Sequence, residues 1–437
     1  MPPSALPFVH KHLGLVALSI AAAAIAVIAL LVSLALLVSA IVARVRRPAS
    51  STPPLPPVQV HGAGSELGAY EVLHLLPEKR AKGVVVFMPG NPGQPTFYSD
   101  FARRLVDSLG VEVVVLGLAG HLTHNSACSL PRAERARTFT MPQQCAHLAA
   151  RIRPYCDAAR RLDLPFCIAG HSIGGTMAIE VARRLRAAAS PRASSPAGAR
   201  SPRSPRRPNA SPARGRGAAS PAAQPALPPR HAVLAIMPYL ENDPTNAALC
   251  KLRDSLRSSG ARSPLLPSAA AEPTAALPTP PCTLYGKLTY AVVPALVSVY
   301  RLLPPAAQRL LGASHLAKLR SPYDEFARRE AAHPAAARNL LAFASTELEI
   351  LDTPYDFEGA GAAQLAREGR LALAYCEKDM WANPEYMLAR CAKARVPASL
   401  LADGAWGPML HAFSVGHPDM EGRVADWFCA TLRKLWK

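Results

Sequence analysis

Charged residues are scarce in this chain of 437 residues: Asp, Glu, Lys and Arg make up 18% of it, whereas hydrophobic residues make up 50%. A chain with this balance is not disordered throughout, and its length allows one large core or two medium ones. Its nine cysteines are scattered, without a CxxC pair or a His-Cys cluster at zinc-finger spacing. We therefore predict neither a disulfide framework nor a metal site, and a reducing compartment.

Acidic residues are missing from two basic segments. Residues 187–230 contain eight arginines and no acid, and residues 1–50 contain one lysine, three arginines and no acid. These segments hold most of the formal net charge of +19, so the excess lies outside the expected folded core. The chain also lacks a glycine-rich phosphate loop and interleaved aromatic residues. We predict no nucleic-acid partner and no cofactor.

No charge occurs between Leu13 and Ala43, a run rich in Ala, Leu, Val and Ile. About 20 apolar residues span a bilayer, whereas the apolar part of a signal peptide has about 7–15, so residues 1–50 are interpreted as a membrane anchor. A buried soluble helix is the alternative. Three arginines follow the run and only Lys11 precedes it, which favours a cytosolic position for the rest of the chain.

Residues 51–82 are interpreted as a linker and lead-in strands, and residues 83–437 as the main domain. Apolar strands alternate there with helical patterns, which is typical of a parallel sheet covered on both faces. The expected strands are Gly83–Met88, Val111–Leu118, Phe166–Ala169, His231–Met237, Arg370–Tyr375 and Pro397–Leu401. The expected helices are about 96–109, 142–162, 173–185 and 419–435.

Two insertions interrupt this alternation. The Ala-, Ser-, Pro- and Arg-rich segment 187–230 is predicted to be disordered, as is Ser258–Pro281. Residues 241–369 form a lid region around the apolar segment Thr283–Leu303. That segment either packs over the sheet as a lid helix or lies in a membrane interface.

The stretch Gly170-His171-Ser172-Ile173-Gly174 fits the nucleophile-elbow pattern Gly-x-Ser-x-Gly. A strand precedes it and a helix follows it, as the elbow requires, so Ser172 is the candidate nucleophile. A serine hydroxyl becomes a good nucleophile when a histidine takes its proton and an acid orients that histidine.

The acid is expected just after a late strand and the histidine after the next strand. Glu377 and Asp379 both follow the strand at 370–375, and we favour Asp379 because it lies further out on the loop. His411 and His417 both qualify as the base. His417 directly precedes a proline at a helix start, where a capping role is usual, so His411 is favoured.

An oxyanion hole needs two backbone N–H groups directed at one point. The residue after the nucleophile, Ile173, is expected to provide one. The turn Pro89-Gly90-Asn91-Pro92-Gly93 is expected to provide the other. Because Pro92 has no N–H, Asn91 is the candidate donor.

Five segments of the chain resemble motifs of the lipid-droplet-associated hydrolase family. They are the turn Phe87–Gly93 followed by Phe97-Tyr98, Ala119-Gly120-His121, the elbow at Ser172, Asp379 with Trp381, and His411-Ala412-Phe413. The likeness runs from about Val84 to the C-terminus, apart from the insertions. The anchor and the arginine-rich insert depart from the family pattern. Membrane association in the family is attributed to a lid segment that corresponds to Thr283–Leu303.

This resemblance implies an α/β-hydrolase fold with a mostly parallel central sheet and a helical lid. The apolar run Leu13–Ala43 separately predicts a transmembrane helix before this domain. The resemblance also implies a serine ester hydrolase with Ser172, Asp379 and His411 as its triad. It places that hydrolase on lipid droplets and the endoplasmic reticulum, and it names no substrate. We predict that the substrate is a lipid ester or acyl chain. A catalytically weak surface protein and an acyltransferase with the same triad are the alternatives.

Overall fold

The computed structural model describes residues 55–187, 227–246, 250, 284–303, 307–308, 323–379, 381–404 and 409–437. The predicted anchor Leu13–Ala43, nearly all of the insert 187–230 and the segment Ser258–Pro281 lie outside these residues. Within the described ranges, no helix is both long enough and apolar enough to cross a membrane.

A sheet of eight strands forms the centre of the molecule, in the order β1-β2-β4-β3-β5-β6-β7-β8. The pairs β1–β2 and β2–β4 are antiparallel, and all other pairs are parallel. The strands are β1 Gln59–His61, β2 Tyr70–Leu75, β3 Val84–Met88, β4 Glu112–Leu116, β5 Phe166–His171, β6 His231–Ile236, β7 Leu371–Cys376 and β8 Ala398–Leu401. The mixed α/β class and the mostly parallel sheet expected from the sequence are thus confirmed.

Helices cover both faces of the sheet. They are α1 Ser99–Leu109, α2 His124–Cys128, α3 Arg132–Arg135, α4 Met141–Arg161, α5 Ile173–Ala187, α6 Leu284–Leu302, α7 Tyr323–Phe326, α8 Pro334–Ile350, α9 Ala362–Arg367, α10 Pro384–Lys393 and α11 Pro418–Leu435. Helices α4 and α5 contribute to the core on one face, and α1 and α11 to the core on the other.

The central strands are apolar throughout because both of their faces are buried. In β3, Val84, Val86 and Met88 join the cluster under α4 and α5, whereas Val85 and Phe87 join the cluster under α1 and α11. Successive side chains of a strand point to opposite faces, so each such strand supplies both cores. This two-sided burial explains why apolar runs located β3 to β7 in the sequence, whereas β8 is an edge strand with exposed residues.

The sequence predicted the start and end of the covering helices closely. The first helix ends at Gly110, which has φ +65° and caps α1 in the left-handed conformation. This helix was expected to begin at residue 96. In the structure, a short 3-10 turn over Pro95–Tyr98 comes first and leads into α1. The short helices α2, α3, α7, α9 and α10 were not predicted, because four to ten residues carry too little periodicity. The 17-residue α8 of the lid region was not predicted either.

The apolar segment Thr283–Leu303 contains α6, which packs against α8 of the lid region. Its opposite face exposes apolar side chains at helical spacing, namely Val292, Leu296, Val299 and Leu302. The helix is therefore confirmed. It has one packed face and one exposed apolar face, so both sequence interpretations of this segment keep support.

Candidate active site

Ser172 lies at the turn between β5 and α5 and has φ +55°, a left-handed conformation that is strained for a residue with a side chain. Its N–H donates to the carbonyl of Ile236 on the neighbouring strand at 2.9 Å. A Cβ atom at Gly170 would lie 2.1 Å from the Gly174 carbonyl oxygen, and one at Gly174 would lie 2.3 Å from the Met88 oxygen. Both glycines of the elbow are therefore required by packing.

The turn after β3 lies directly against the elbow. A Cβ atom at Gly90 would be 2.8 Å from the Cβ atom of Ser172, and the Gly93 N–H closes the turn by donating to the Gly90 carbonyl at 2.7 Å. Asn91 thus lies in the turn next to Ser172, and Ile173 is the first residue of α5. The first N–H groups of a helix lack intrahelical partners and favour negative charge.

Asp379 and His411 are brought together by a 2.6 Å hydrogen bond between Asp379 Oδ2 and His411 Nδ1. The carboxylate is fully buried, and its Oδ1 accepts from the backbone N–H groups of Trp381 (2.8 Å) and Ala382 (3.1 Å). These bonds fix the orientation of the acid on its loop. Because the Asp379 carboxylate can only accept this hydrogen bond, Nδ1 of His411 carries the proton and donates it. Nε2 of His411 then has a free lone pair and can act as a base.

No hydrogen bond joins the Ser172 hydroxyl to the His411 ring among the described residues. The His411 ring lies 4.9 Å, centroid to centroid, from the ring of His171, the residue before Ser172. Catalytic hydrogen bonds are often long without substrate and shorten when it binds. The structure therefore brings Asp379 and His411 together and places the His411 ring against the residue that precedes Ser172.

The rejected alternatives lie elsewhere. Glu377 is exposed to solvent on the same loop as the buried Asp379. His417 is the N-cap of α11, and its Nδ1 accepts from the Asp419 N–H at 3.3 Å. That role in the helix cap is the one the following proline indicated.

A buried tyrosine connects the turn at Gly90 to the elbow. The Tyr98 hydroxyl accepts from the Gly90 N–H at 3.0 Å and is hydrogen-bonded to His171 Nδ1 at 2.7 Å. Burial lowers the pKa of His171 well below 6.5, and the nearby His411 lowers it further. His171 is therefore neutral. Tyr98 belongs to the Phe-Tyr motif, but this role was not deduced from the sequence.

The lid also contributes a polar group. The side-chain nitrogen Nδ2 of Asn91 donates to the carboxylate of Glu347 in α8 at 3.5 Å, and Glu347 is 7% exposed. Burial raises its pKa to about 8, an effect that the contact with Asn91 partly opposes. On the other side of the turn, His121 Nδ1 is hydrogen-bonded to the Pro92 carbonyl at 2.8 Å. Glu347 had no signal in the sequence, since an acid in a helix is usually solvated.

A mostly parallel sheet with a strand-elbow-helix unit at Ser172, followed along the chain by an acid and a histidine, is the architecture of the α/β-hydrolase class. Residues 81–192 match the family model of the lipid-droplet associated hydrolases. The chain is also 33% identical over 109 residues to the lipid droplet-associated hydrolase of Drosophila melanogaster, a match that covers 24% of this chain and 34% of that protein. These findings confirm the family resemblance drawn from the motifs.

The chain spans about a third of the length of that curated relative in this match. The family model includes the turn at Gly90 and the elbow at Ser172, whereas Asp379 and His411 lie beyond its residues. The assignment of the acid and the base therefore depends on the geometry of this chain.

Two solved structures with a similar backbone are enzymes. One is a thermophilic esterase from Thermogutta terrifontis, with 15% identity, a TM-score of 0.45, and coverage of 87% of this chain and 100% of that chain. The other is a soluble variant of monoglyceride lipase from Saccharomyces cerevisiae, with 11% identity, a TM-score of 0.43, and coverage of 89% and 98%.

The two histidine candidates can be separated by substitution. His411→Ala removes the ring that Asp379 orients, so kcat/KM for hydrolysis of p-nitrophenyl butyrate should fall by about 10³–10⁶-fold. His417→Ala removes only a helix cap and should keep most of the activity. Equal losses in the two variants would contradict the assignment of His411.

The buried Glu347 makes stability depend on pH. Its pKa is about 8 in the folded chain against 4.5 when exposed, so the folded state binds an extra proton between these values. The contribution of Glu347 to the free energy of unfolding is fully present below pH 4.5. It falls by at most about 1.4 kcal/mol per pH unit as the pH rises towards 8, and it is lost once the pH has passed 8.

Glu347→Gln should remove this dependence. The free energy of unfolding of the variant, measured relative to the wild type by denaturant titration, should therefore rise steadily from pH 5 to pH 8 and then level off. Glu349→Gln, a half-buried position on the same helix, is the control. A constant difference between the Glu347→Gln variant and the wild type across this range would show that Glu347 does not gain a proton on folding.

Proposed function

We propose that this protein is a serine hydrolase that cleaves carboxylic esters of lipids through an acyl-enzyme. The observation that carries the proposal is the buried Asp379–His411 pair, 2.6 Å apart, beside a serine held in the strained elbow conformation. Neither a buried carboxylate nor a left-handed serine is favourable for folding alone. Their occurrence together is what nucleophilic catalysis requires.

In the proposed reaction, Nε2 of His411 takes the proton of the Ser172 hydroxyl as its oxygen attacks the ester carbonyl. The carbonyl oxygen becomes an oxyanion, which the backbone N–H groups of Ile173 and Asn91 stabilise. Asp379 holds the protonated imidazole in place. His411 then gives its proton to the departing alcohol, and the acyl group remains on Ser172.

Water completes the cycle. His411 removes a proton from a water molecule, whose oxygen attacks the acyl-enzyme, and a second oxyanion forms in the same hole. Collapse of this intermediate returns the proton to Ser172 and releases the carboxylic acid. No cofactor or metal takes part in these steps.

A lipid ester, such as a sterol ester or an acylglycerol, is the proposed substrate. The name of the Drosophila melanogaster relative associates that protein with lipid droplets. In this chain, α6 of the lid exposes an apolar face through Val292, Leu296, Val299 and Leu302, and such a face suits contact with a lipid surface.

The proposed location is the lipid droplet and the membrane of the endoplasmic reticulum, with the hydrolase domain in the cytosol. The apolar run Leu13–Ala43 and the arginines after it support this placement by length and charge. The exposed face of α6 supports a second contact with the lipid surface.

The full chain in detergent, assayed with emulsified triacylglycerol, emulsified sterol ester and p-nitrophenyl butyrate, tests the proposal. The wild type should release fatty acid from at least one lipid ester, and Ser172→Ala should release none. Ser129→Ala, an exposed serine, is the matched control and should be fully active.

Two results would count against the proposal. Hydrolysis that survives in Ser172→Ala would place the nucleophile elsewhere, and a wild type inactive on every ester would favour a weakly catalytic surface protein. Acyl transfer to an added alcohol, without release of acid, would favour the acyltransferase alternative.

A further inference from the structure

Three metal-ligating side chains meet where the short helix α2 adjoins the start of α8. The side chains are those of His124 and Cys128 of α2 and of His333, which directly precedes α8. One ligand atom of each residue lies within 4.8 Å of the others. The Cys128 sulfur is 3.5 Å from Nδ1 and 3.7 Å from Nε2 of His124.

These separations suit a tetrahedral metal centre. A zinc ion binds sulfur at about 2.3 Å and nitrogen at about 2.0–2.1 Å, which places the two ligand atoms about 3.5 Å apart. The Cys128–His124 pair already has this spacing, because residues four apart share one face of a helix. The ligand atom of His333 lies within 4.8 Å of the other two, whereas two nitrogens on one zinc ion are about 3.4 Å apart, so a side-chain movement of up to about 1.5 Å completes the set.

Several charged side chains lie near the cluster, namely Arg301, Arg338, Arg135 and Glu330. Arg301 of α6 donates to the carbonyl oxygens of Arg329 and Ala332, so these hydrogen bonds hold its guanidinium in place. Glu330 accepts from the Asn125 side chain at 3.0 Å, which places a carboxylate on the same side.

We propose that His124, Cys128 and His333 form a site for Zn²⁺ or a similar thiophilic divalent metal, with a fourth position open to water. The prediction of no metal site depended on the lack of a CxxC pair and of a local His-Cys cluster. Here the His-x-x-x-Cys pair at His124 and Cys128 meets a histidine that is distant in the sequence. The site joins α2, which follows β4, to the start of the lid helix that carries Glu347. It does not depend on the proposed hydrolase function.

Metal binding is coupled to the start of α8. At present His333 Nδ1 accepts from the Ala335 N–H at 3.1 Å and so caps this helix. A metal bound at Nε2 moves the ring proton to Nδ1, which then no longer accepts that hydrogen bond. Occupation of the site therefore replaces a local helix cap by a bond between α8 and α2.

Titration of the full chain with Co²⁺ tests the proposal, because a cobalt–thiolate bond gives a charge-transfer absorption band. Cys250 and Cys282 are first replaced by serine, so that neither thiol competes. One equivalent of Co²⁺ should produce the band, and one equivalent of Zn²⁺ should abolish it. Absence of the band in this background protein would overturn the proposal.

Two variants identify the ligands. Cys128→Ser should lose the band, and His333→Asn should lose it while keeping an acceptor that caps α8, because asparagine is a good N-cap residue. His61→Asn, an exposed histidine, is the control and should keep it. A band that persists in Cys128→Ser or in His333→Asn would mean that the metal is held elsewhere.

Thermal unfolding gives a readout independent of the spectrum. A ligand that binds only the folded state raises the midpoint of unfolding. Zn²⁺ should therefore raise the midpoint of the background protein and leave that of His333→Asn unchanged. An equal rise in both proteins would contradict the proposed link between α2 and α8.

Discussion

The close approach of two backbone segments at Ser172 is the constraint on which the rest of the site depends. Gly170 and Gly174 let the elbow turn back on itself, and Gly90 lets the neighbouring turn contact it, since a Cβ atom at any of these positions would meet another atom within 3 Å. Only glycine fits such contacts. Ser172 keeps its strained conformation because the packing around it allows no other.

Further hydrogen bonds hold this arrangement together. Tyr98 binds the Gly90 N–H and the His171 ring at once, so the turn and the elbow share one buried polar contact. Phe413 packs against the His171 ring at 5.0 Å, which connects the loop of His411 to the same group. Three segments that are far apart in sequence therefore meet around one side chain, and a shift in one would displace the others.

The sequence predicted those parts of the fold and of the site that depend on local pattern. The buried strands are continuous apolar runs, and the elbow is five consecutive residues, so β3, β5 and Ser172 could be placed directly. The expected order of acid and base left Glu377 beside Asp379 and His417 beside His411, and loop position and helix capping favoured the second acid and the first histidine. In the structure, Asp379 and His411 are joined by a 2.6 Å hydrogen bond.

What the sequence did not reveal depends on contacts between distant segments. Glu347 is an ordinary acid of an amphipathic helix until the lid folds over Asn91 and buries it. Tyr98 and His171 were visible in motifs, but their hydrogen bond requires the register between β3 and β5. His333 contacts α2 only because the lid region returns to the sheet. Periodicity and composition carry no information on such pairings.

Reaction with a fluorophosphonate probe tests the central claim most directly, because the probe forms a covalent bond only with an activated serine. After labelling of the full chain, mass spectrometry of the digested protein should find the phosphonyl group on the peptide that contains Ser172, at one group per chain. An unlabelled chain, or a label on another serine, would contradict the account of Ser172 as the nucleophile.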